Sequence, residues 1–242
     1  VGDGFVRGDV VSYSYVPNRY WTVEEALGVL PYLCEYELMA WSGDRPLEAF
    51  HDENIRRIDL ASQWSTAIMF YARRLDFREE IIRLMLRAYR HRQLFILRDY
   101  WRPGDDHEPF DKTSDLLETL WSRRDQVLVS PEGDRATGRQ LVNNVLMVKA
   151  GDEGFSSLGT DGLAQIYATF KQRIQDRTLD GERPFSHIKA WYNLLGWAAW
   201  TGSRWASCED DIRLHDRQKL PSNMEFIGVD TYDYWMPGIG FD

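Results

Sequence analysis

The sequence predicts an α/β fold built on parallel strands, and two observations support this prediction. The first is a short apolar run, residues 144–152, which ends abruptly in Gly151 and Asp152 and is followed by Glu153. An apolar run of this length indicates a strand buried on both faces, as strands of parallel sheets are. The second is the alternation of strand-like and helix-like segments along the chain, which is typical of parallel strands joined by right-handed crossovers.

Six segments have the length and the apolar, β-branched and aromatic content of strands. They are residues 9–16, 66–73, 93–101, 144–152, 188–195 and 225–232. Residues 35–41 fit either a strand or an excursion between elements. Residues 196–221 are polar and rich in aromatic side chains, and we predict an elaborated loop with little regular helix.

Five segments between these strands are interpreted as helices. They are residues 23–30, 53–64, 77–91, 114–123 and 161–176. The clearest is 77–91, where apolar residues such as Ile82 and Met85 recur at helical spacing on one face. Ser114 and Thr160 are suited to cap the N-termini of the fourth and fifth helices, because a hydroxyl can accept a bond from a first-turn amide.

The number and order of these elements fit a parallel (β/α)8 TIM-like barrel that is incomplete in this chain. About six strands are visible, and the chain of 242 residues is slightly shorter than the roughly 250 of a typical barrel. The alternative is an open parallel sheet, since an unclosed barrel leaves bare strand edges. No internal repeat or linker divides the chain, so residues 1–242 are interpreted as one barrel domain that lacks its last strands.

Composition excludes several classes of function. The net charge of -9 and the isoelectric point near 5.1 argue against a nucleic-acid partner, which requires a clustered basic face. No apolar run approaches the roughly 20 residues of a membrane span, so no membrane partner is expected. The N-terminus lacks the layout of a signal peptide, which leaves localisation open, with an extracellular or periplasmic location slightly favoured. Cys34 and Cys208 fit no metal-binding spacing, and their disulfide state stays open.

The predicted strands change from apolar to polar or aromatic at their carboxyl ends. In a parallel barrel these ends surround a single cleft, where the reactive groups lie. We therefore predict that Asp152, Glu153 and Asp230 are the catalytic carboxylates. The expected substrate-binding residues lie at or near other strand ends: Tyr13, Tyr15, Arg73, Arg98, Asp99, Trp101, Tyr192, Asn193, Tyr232 and Trp235.

The order of these motifs resembles the middle of (β/α)8-barrel glycoside hydrolases. An apolar strand leads into Asp152 and Glu153, an amphipathic helix follows, and the next strand contains Tyr192 and Asn193 before the Phe-Ile-Gly-Val-Asp-Thr-Tyr stretch at 226–232. The resemblance covers roughly residues 9–235. Its more specific motifs lie in residues 144–163 and 188–235.

The resemblance implies specific roles for two of these segments. In many members an acidic residue after the fourth strand, here Glu153, is the proton donor. Residues 228–232 are similar to the sixth strand, which lines the sugar site. This chain has Asp-Glu-Gly where many members have Asn-Glu or Asp-Glu-Pro. The nucleophilic glutamate that many members carry on the seventh strand would lie beyond residue 242, so the identity of the second catalytic carboxylate stays open.

Glycoside cleavage requires one protonated carboxyl group that assists the leaving oxygen and one ionised group that attacks or activates water. Glu153 is the predicted acid/base, and an ionised Asp152 beside it would disfavour a second negative charge. Lys149 opposes that effect if it reaches the same side. Asp230 is either the partner carboxylate or a hydrogen-bond acceptor for sugar hydroxyls. The alternatives are that Asp152 and Glu153 cap the next helix or face solvent, and that Asp230 orients loop amides.

We expect a glycosidase that acts on an oligo- or polysaccharide without a cofactor. The alternatives are a non-catalytic barrel that binds carbohydrate or a partner protein, and a metal-dependent hydrolase or lyase. No metal site is predicted, because the five histidines show neither HxH nor HExxH spacing. Nothing in the sequence defines the oligomeric state.

Overall fold

The computed structural model describes most of the middle of the chain. The described residues are 35–38, 47–71, 78–99, 108–152, 155–196, 199–200, 205–206, 222–223 and 225–231. The predicted strand at 9–16 and the predicted helix at 23–30 lie outside these ranges.

Strands and helices alternate along the described residues, as the sequence predicts. The strands are β1 (Glu35–Glu37), β2 (Ala67–Tyr71), β3 (Leu94–Arg98), β4 (Val127–Val129), β5 (Arg135–Thr137), β6 (Val145–Asp152), β7 (Lys189–Gly196), β8 (Ala199–Trp200), β9 (Trp205–Ala206) and β10 (Phe226–Thr231). The helices are α1 (Leu47–Ala61), α2 (Arg78–Arg90), α3 (Asp111–Ser122), α4 (Gly138–Asn143) and α5 (Phe155–Phe170), which continues into a π-helical turn (Lys171–Gln175).

Six strands form one sheet in the order β1-β2-β3-β6-β7-β10, and every neighbouring pair is parallel. The prediction of an α/β fold with a parallel sheet is therefore confirmed. The spatial order of these strands is also their order in the chain. Five of the six overlap predicted strands, and β1 falls within residues 35–41, for which the sequence left strand and excursion open.

The two faces of this sheet differ in what covers them. The larger core cluster combines strand residues such as Phe70 and Phe95 with residues of the helices, among them Met85, Leu117 and Phe170. The smaller cluster contains strand residues only: Ala67, Met69, Leu94, Ile96, Leu146 and Met147, with Trp191 packed against them. We call these the helix-covered face and the strand-only face. Among the described residues, helices therefore pack against one face of the sheet.

Three helices begin earlier than predicted. The helix α1 begins at Leu47, six residues before the predicted start at residue 53. The helix α3 begins at Asp111, three residues before the predicted cap Ser114, and Phe110 precedes it in a left-handed conformation with φ of 66° and no side-chain cap. Phe110 is buried and its ring lies 5.4 Å from the Phe170 ring, so tertiary packing fixes this start. The helix α5 begins at Phe155, and Thr160 therefore lies inside it and does not cap it.

A hairpin that the sequence analysis did not predict precedes β6. Its strands β4 and β5 are antiparallel, and Gly133 occupies its turn with φ of 83°. The side chain of Asp134 has no exposed surface and accepts bonds from Arg87 at 3.3 Å and Arg90 at 3.0 Å. These ion pairs attach the hairpin to α2.

Candidate functional site

Three predicted site residues lie in the carboxyl-terminal halves of the neighbouring strands β6, β7 and β10. Asp152 is the Cα partner of Asn193 in the β6–β7 ladder, and Asn193 is also the partner of Gly228 in the β7–β10 ladder. Asp230 lies opposite Leu195, further toward the carboxyl end. Neighbouring strands lie about 4.8 Å apart and rise about 3.3 Å per residue, so the Cα atoms of Asp152 and Asp230, which are two strands and two residues apart, lie roughly 12 Å from each other.

Glu225 helps to fix the register that places Asp230 at this edge. Its carboxylate accepts bonds from the backbone amide of Ala190 and from Lys189 Nζ, each at 3.1 Å. It also accepts bonds from the side-chain amide of Gln175, at 3.1 and 3.2 Å, and Gln175 is buried at the end of the π-helical turn. These contacts join three elements at the amino ends of β7 and β10.

The other predicted site residues divide into two groups. Arg98, Asp99 and Tyr192 have described side chains, which are considered next. The remaining predicted residues lie outside the described parts of the chain: Glu153, Tyr13, Tyr15, Arg73, Trp101, Tyr232 and Trp235.

Arg98 and two further residues share the strand-only face near the carboxyl edge. Arg98 is the Cα partner of Lys149, and Lys149 is the partner of Trp191. Lys149 is only 6% exposed, and its Nζ lies 5.2 Å from the centroid of the Trp191 ring. An ammonium at this distance from an indole is attracted by the negative face of the ring.

The sequence analysis did not single out Trp191, although a signal for it was present. Successive side chains of a strand alternate between faces. Ala190 and Tyr192 both belong to the helix-covered core, which assigns Trp191 to the opposite face. Alternation within residues 188–195 assigns this indole to the face opposite Tyr192, and the pairing of β6 with β7 sets it beside Lys149.

The structure places Asp99 against α3, which differs from its predicted role in binding sugar. Its Oδ2 accepts bonds from the backbone amide of Thr113 at 3.2 Å and from Thr113 Oγ1 at 2.6 Å. Both residues are fully buried. The physical reason is strand alternation, because Asp99 follows Arg98 and is therefore directed to the helix side. Its described contacts hold the start of α3 against the end of β3.

Tyr192 is also placed differently from the prediction that it binds substrate hydroxyls. It is 1% exposed and belongs to the core between the sheet and the helices. Its Cα partner on β6 is Gly151, and a Cβ at Gly151 would lie only 2.3 Å from Cε2 of the Tyr192 ring. The ring therefore occupies the space that a side chain on β6 would need.

Two searches of the described residues were negative. No group of three or more His, Cys, Asp or Glu side chains is arranged there to hold a metal ion. Within the same part of the chain, no helix combines the length and the apolar character needed to cross a membrane.

Comparison with known proteins finds distant similarity among solved structures. No protein-family model matches the chain, and no curated protein matches it. Among solved structures, the chain is similar to that of CpGH84B, a glycoside hydrolase, at 9% sequence identity and a TM-score of 0.41. The match covers 81% of this chain and 33% of that chain, so this chain spans about a third of that protein. A likeness this distant does not identify an activity.

Proposed function

We propose that the parallel sheet is part of a (β/α)8-type barrel. Two features of the described residues support this proposal. Strand order in space follows strand order in the chain, which a barrel requires and a doubly wound sheet does not follow. The second face of the sheet carries a cluster made of strand residues alone, as the interior of a barrel does. In a doubly wound sheet, helices would cover both faces.

We further propose that the protein hydrolyses a glycosidic bond of an oligo- or polysaccharide at the carboxyl edge of this sheet. The observation that supports the proposal is the register, which sets the backbone of Asp152 opposite Asn193 and that of Asp230 two residues further toward the carboxyl end, on β10. Glu153 follows Asp152 directly in the chain and is the proposed proton donor. Asp152 and Asp230 are the proposed candidates for the ionised carboxylate, which either attacks the sugar or activates water.

The proposed chemistry needs two carboxyl groups in different protonation states. The donor transfers a proton to the leaving oxygen as the bond to the anomeric carbon breaks, and the ionised group stabilises or captures the positive charge that develops on the sugar. Cationic Arg98 and Lys149 on neighbouring strands favour ionisation of a carboxylate that lies near them. A site that combines acidic and basic groups at one edge can therefore hold one carboxylate ionised.

The test is release of reducing sugar from a panel of oligo- and polysaccharides by the purified chain and three variants. Glu153→Gln and Asp230→Asn remove a charge while conserving shape, and we expect each to lower the rate about 100-fold or more. Asp125→Asn is the matched control, because Asp125 is 77% exposed and precedes β4 of the hairpin, which is separate from the six-stranded sheet. Full activity in Glu153→Gln would exclude the proposed proton donor. Binding of glycan without any turnover would favour a non-catalytic carbohydrate-binding barrel.

A further inference from the structure

The amino-terminal part of α1 is buried mainly through polar side chains. Between residues 50 and 57 the most buried side chains are His51 and Asn54, at 3% and 1% exposure. The two apolar side chains of this stretch, Phe50 and Ile55, are only partly buried against the larger core cluster. Because burial of apolar surface is the main term that holds a helix on a core, this part of α1 opens at a lower cost than a fully apolar helix face would.

The last turn of α1 is held more firmly. Ile58 and Ala61 are buried in the larger core cluster. The carboxylate of Asp59 accepts bonds from Arg87 Nε at 2.6 Å and from Arg87 Nη2 at 2.7 Å, and it lies 2.7 Å from His91 Nε2. The amino-terminal part can therefore open while the last turn stays attached to α2.

The ring of His51 occupies a position that suits a neutral imidazole. Neither of its nitrogens has a hydrogen-bond partner among the described residues. The ring packs edge-on against Phe50, with the two centroids 5.6 Å apart. A protonated imidazole carries two N–H donors and a charge, and burying it without acceptors is costly. An exposed histidine takes up this proton at about pH 6.5, so mild acid makes the buried position unfavourable.

The charged groups around His51 do not remove this cost. Arg83 of α2 is itself a cation, and its Nε donates to Glu132 of the hairpin at 2.9 and 3.1 Å. The Arg83 guanidinium lowers the pKa of Glu132 to about 2, so this ion pair persists where histidine titrates. Glu80 of α2 and Asp52 of α1 are the other acids near the ring. Burial, followed by the charge of Arg83, outweighs all three acids and lowers the pKa of His51 below 6.5.

We propose that His51 is an acid-sensitive switch that releases the amino-terminal part of α1, residues 47–57, from α2. Protonation leaves the closed form with an imidazolium beside Arg83, and opening transfers that charge to water. The open form binds the proton at a higher pH than the closed form does. Closure is therefore fully favoured above about pH 6.5 and weakens as the pH falls below that value.

The segment that opens lies on the carboxyl side of the sheet. The helix α1 follows β1 and precedes β2, and these two strands are parallel, so α1 begins beyond the carboxyl end of β1. The switch goes beyond the proposed function and does not depend on it.

The test is hydrogen–deuterium exchange at pH 7 and pH 5, followed by mass spectrometry of peptides and corrected for the intrinsic pH dependence of exchange. We expect residues 51–57 to open about tenfold more often at pH 5, because one proton binds preferentially to the open form. Residues 47–50 are left out of the comparison, because the first amides of a helix have no partner within it. Residues 81–88 of α2 are the internal reference, and their exchange should change much less.

Variants connect this opening to the imidazole. His51→Leu removes the titrating group, so residues 51–57 should be equally protected at the two pH values. His51→Gln, which keeps a neutral polar side chain, tests the same point if His51→Leu does not fold. His187→Gln is the matched control, because His187 is a half-buried histidine whose Nε2 lies 3.1 Å from the Val145 carbonyl oxygen at the start of β6. This control should keep the acid-induced opening of α1.

Three results would overturn the assignment of the switch to His51. The first is equal protection of residues 51–57 at the two pH values in the parent protein. The second is an acid effect that persists in both His51→Leu and His51→Gln. The third is simultaneous opening of α1 and α2 in acid, because the loss of structure is then global and no part of α1 is released by itself.

Discussion

Gly151 is a residue at which the sheet has no room for a side chain. A Cβ there would lie 2.3 Å from Cε2 and 2.9 Å from Cδ2 of the buried Tyr192 ring. We predict that Gly151→Ala lowers the free energy of unfolding by about 1–3 kcal/mol, because the ring or the strand must move in a packed core. Urea denaturation measures the change.

Tyr192→Leu supplies the control for Gly151→Ala. If the clash with the ring is the cause, the double variant should be more stable than the sum of the two single changes implies. Strict additivity of the two changes would show that the ring is not responsible.

His51 is a buried histidine whose two ring nitrogens have no hydrogen-bond partner among the described residues. Burial, followed by the positive charge of Arg83, lowers its pKa below the ordinary value of 6.5, while Glu80, Asp52 and Glu132 act weakly in the other direction. The unfolded chain therefore takes up a proton at a higher pH than the folded chain does. This contribution to stability is fully present above about pH 6.5 and is lost as the pH falls through that value.

We therefore predict that His51→Leu makes stability less dependent on pH between pH 7 and pH 5. The leucine also removes two buried nitrogens that lack partners, so stability at pH 5 should rise relative to the parent protein. The measurement is the urea midpoint at several pH values. Parallel pH profiles for the two proteins would contradict the prediction.

At the scale of elements, the hairpin formed by β4 and β5 depends on charged contacts with α2. Asp134 is a fully buried carboxylate that binds Arg87 and Arg90, and Glu132 on the same hairpin binds Arg83 with Nε–Oε1 at 2.9 Å. Hydrogen bonds to charged groups contribute about 1.5–3 kcal/mol each when they are buried. The first strand of the hairpin buries little side-chain surface, since its side chains are exposed or half-exposed.

We predict that Asp134→Ala lowers the free energy of unfolding by about 1–3 kcal/mol, because two guanidinium groups lose a buried partner. Asp125→Ala is the comparison, since an exposed carboxylate in ion pairs of 3.6 and 3.8 Å should change stability by less than about 0.5 kcal/mol. Chemical denaturation of the two variants provides the measurement. Equal effects would show that burial of Asp134 is unimportant.

The sequence predicts the long elements better than their ends. The segment 77–91 coincides closely with α2 because six of its residues are buried on one amphipathic face. In contrast, the start of α5 was missed because Phe155-Ser-Ser-Leu-Gly159 has the composition of a loop, and tertiary context overrides weak propensity. The helix α4 carried a usable signal, since Thr137 and Gln140 form a capping box.

The candidate site could be predicted only in part, for a related reason. Strand ends in a parallel sheet are readable from sequence: Asp152 is the last residue of β6, and Asp230 is the fifth of the six residues of β10. The face on which each side chain lies depends on exact alternation. The pairing of β6 with β3 and its pairing with β7 each contain a register shift, which interrupts that alternation. Asp99 and Tyr192 lie on the helix-covered side by strand alternation, whereas a prediction based on strand ends alone directs both to a cleft.

At the scale of the whole molecule, the described sheet should be most stable at its centre. The strands β3 and β6 pair on both sides, whereas β1 and β10 each pair on one side within the described residues. Residues Leu94 to Leu97 of β3 and Val145 to Val148 of β6 are buried. In the hairpin, by contrast, Val127 and Val129 are 62% and 54% exposed. Local opening requires less free energy where fewer apolar contacts must be broken.

We predict that backbone amides of β3 and β6 exchange with deuterium more slowly than those of β4 and β5, by about 100-fold or more, since global unfolding is needed to expose them. Exchange followed by mass spectrometry of peptides measures this difference. Equal protection of β3 and the hairpin would mean that the hairpin opens only with the entire sheet.

The sequential order of the strands also has a consequence for synthesis. Each strand of the sheet neighbours the strand that left the ribosome before it, so a nascent chain can extend an existing edge without waiting for a distant segment. Every new βα unit then pairs with the backbone groups that its predecessor leaves unpaired at the edge of the sheet. The chain thereby limits the time during which an unpaired edge is available to a neighbouring polypeptide.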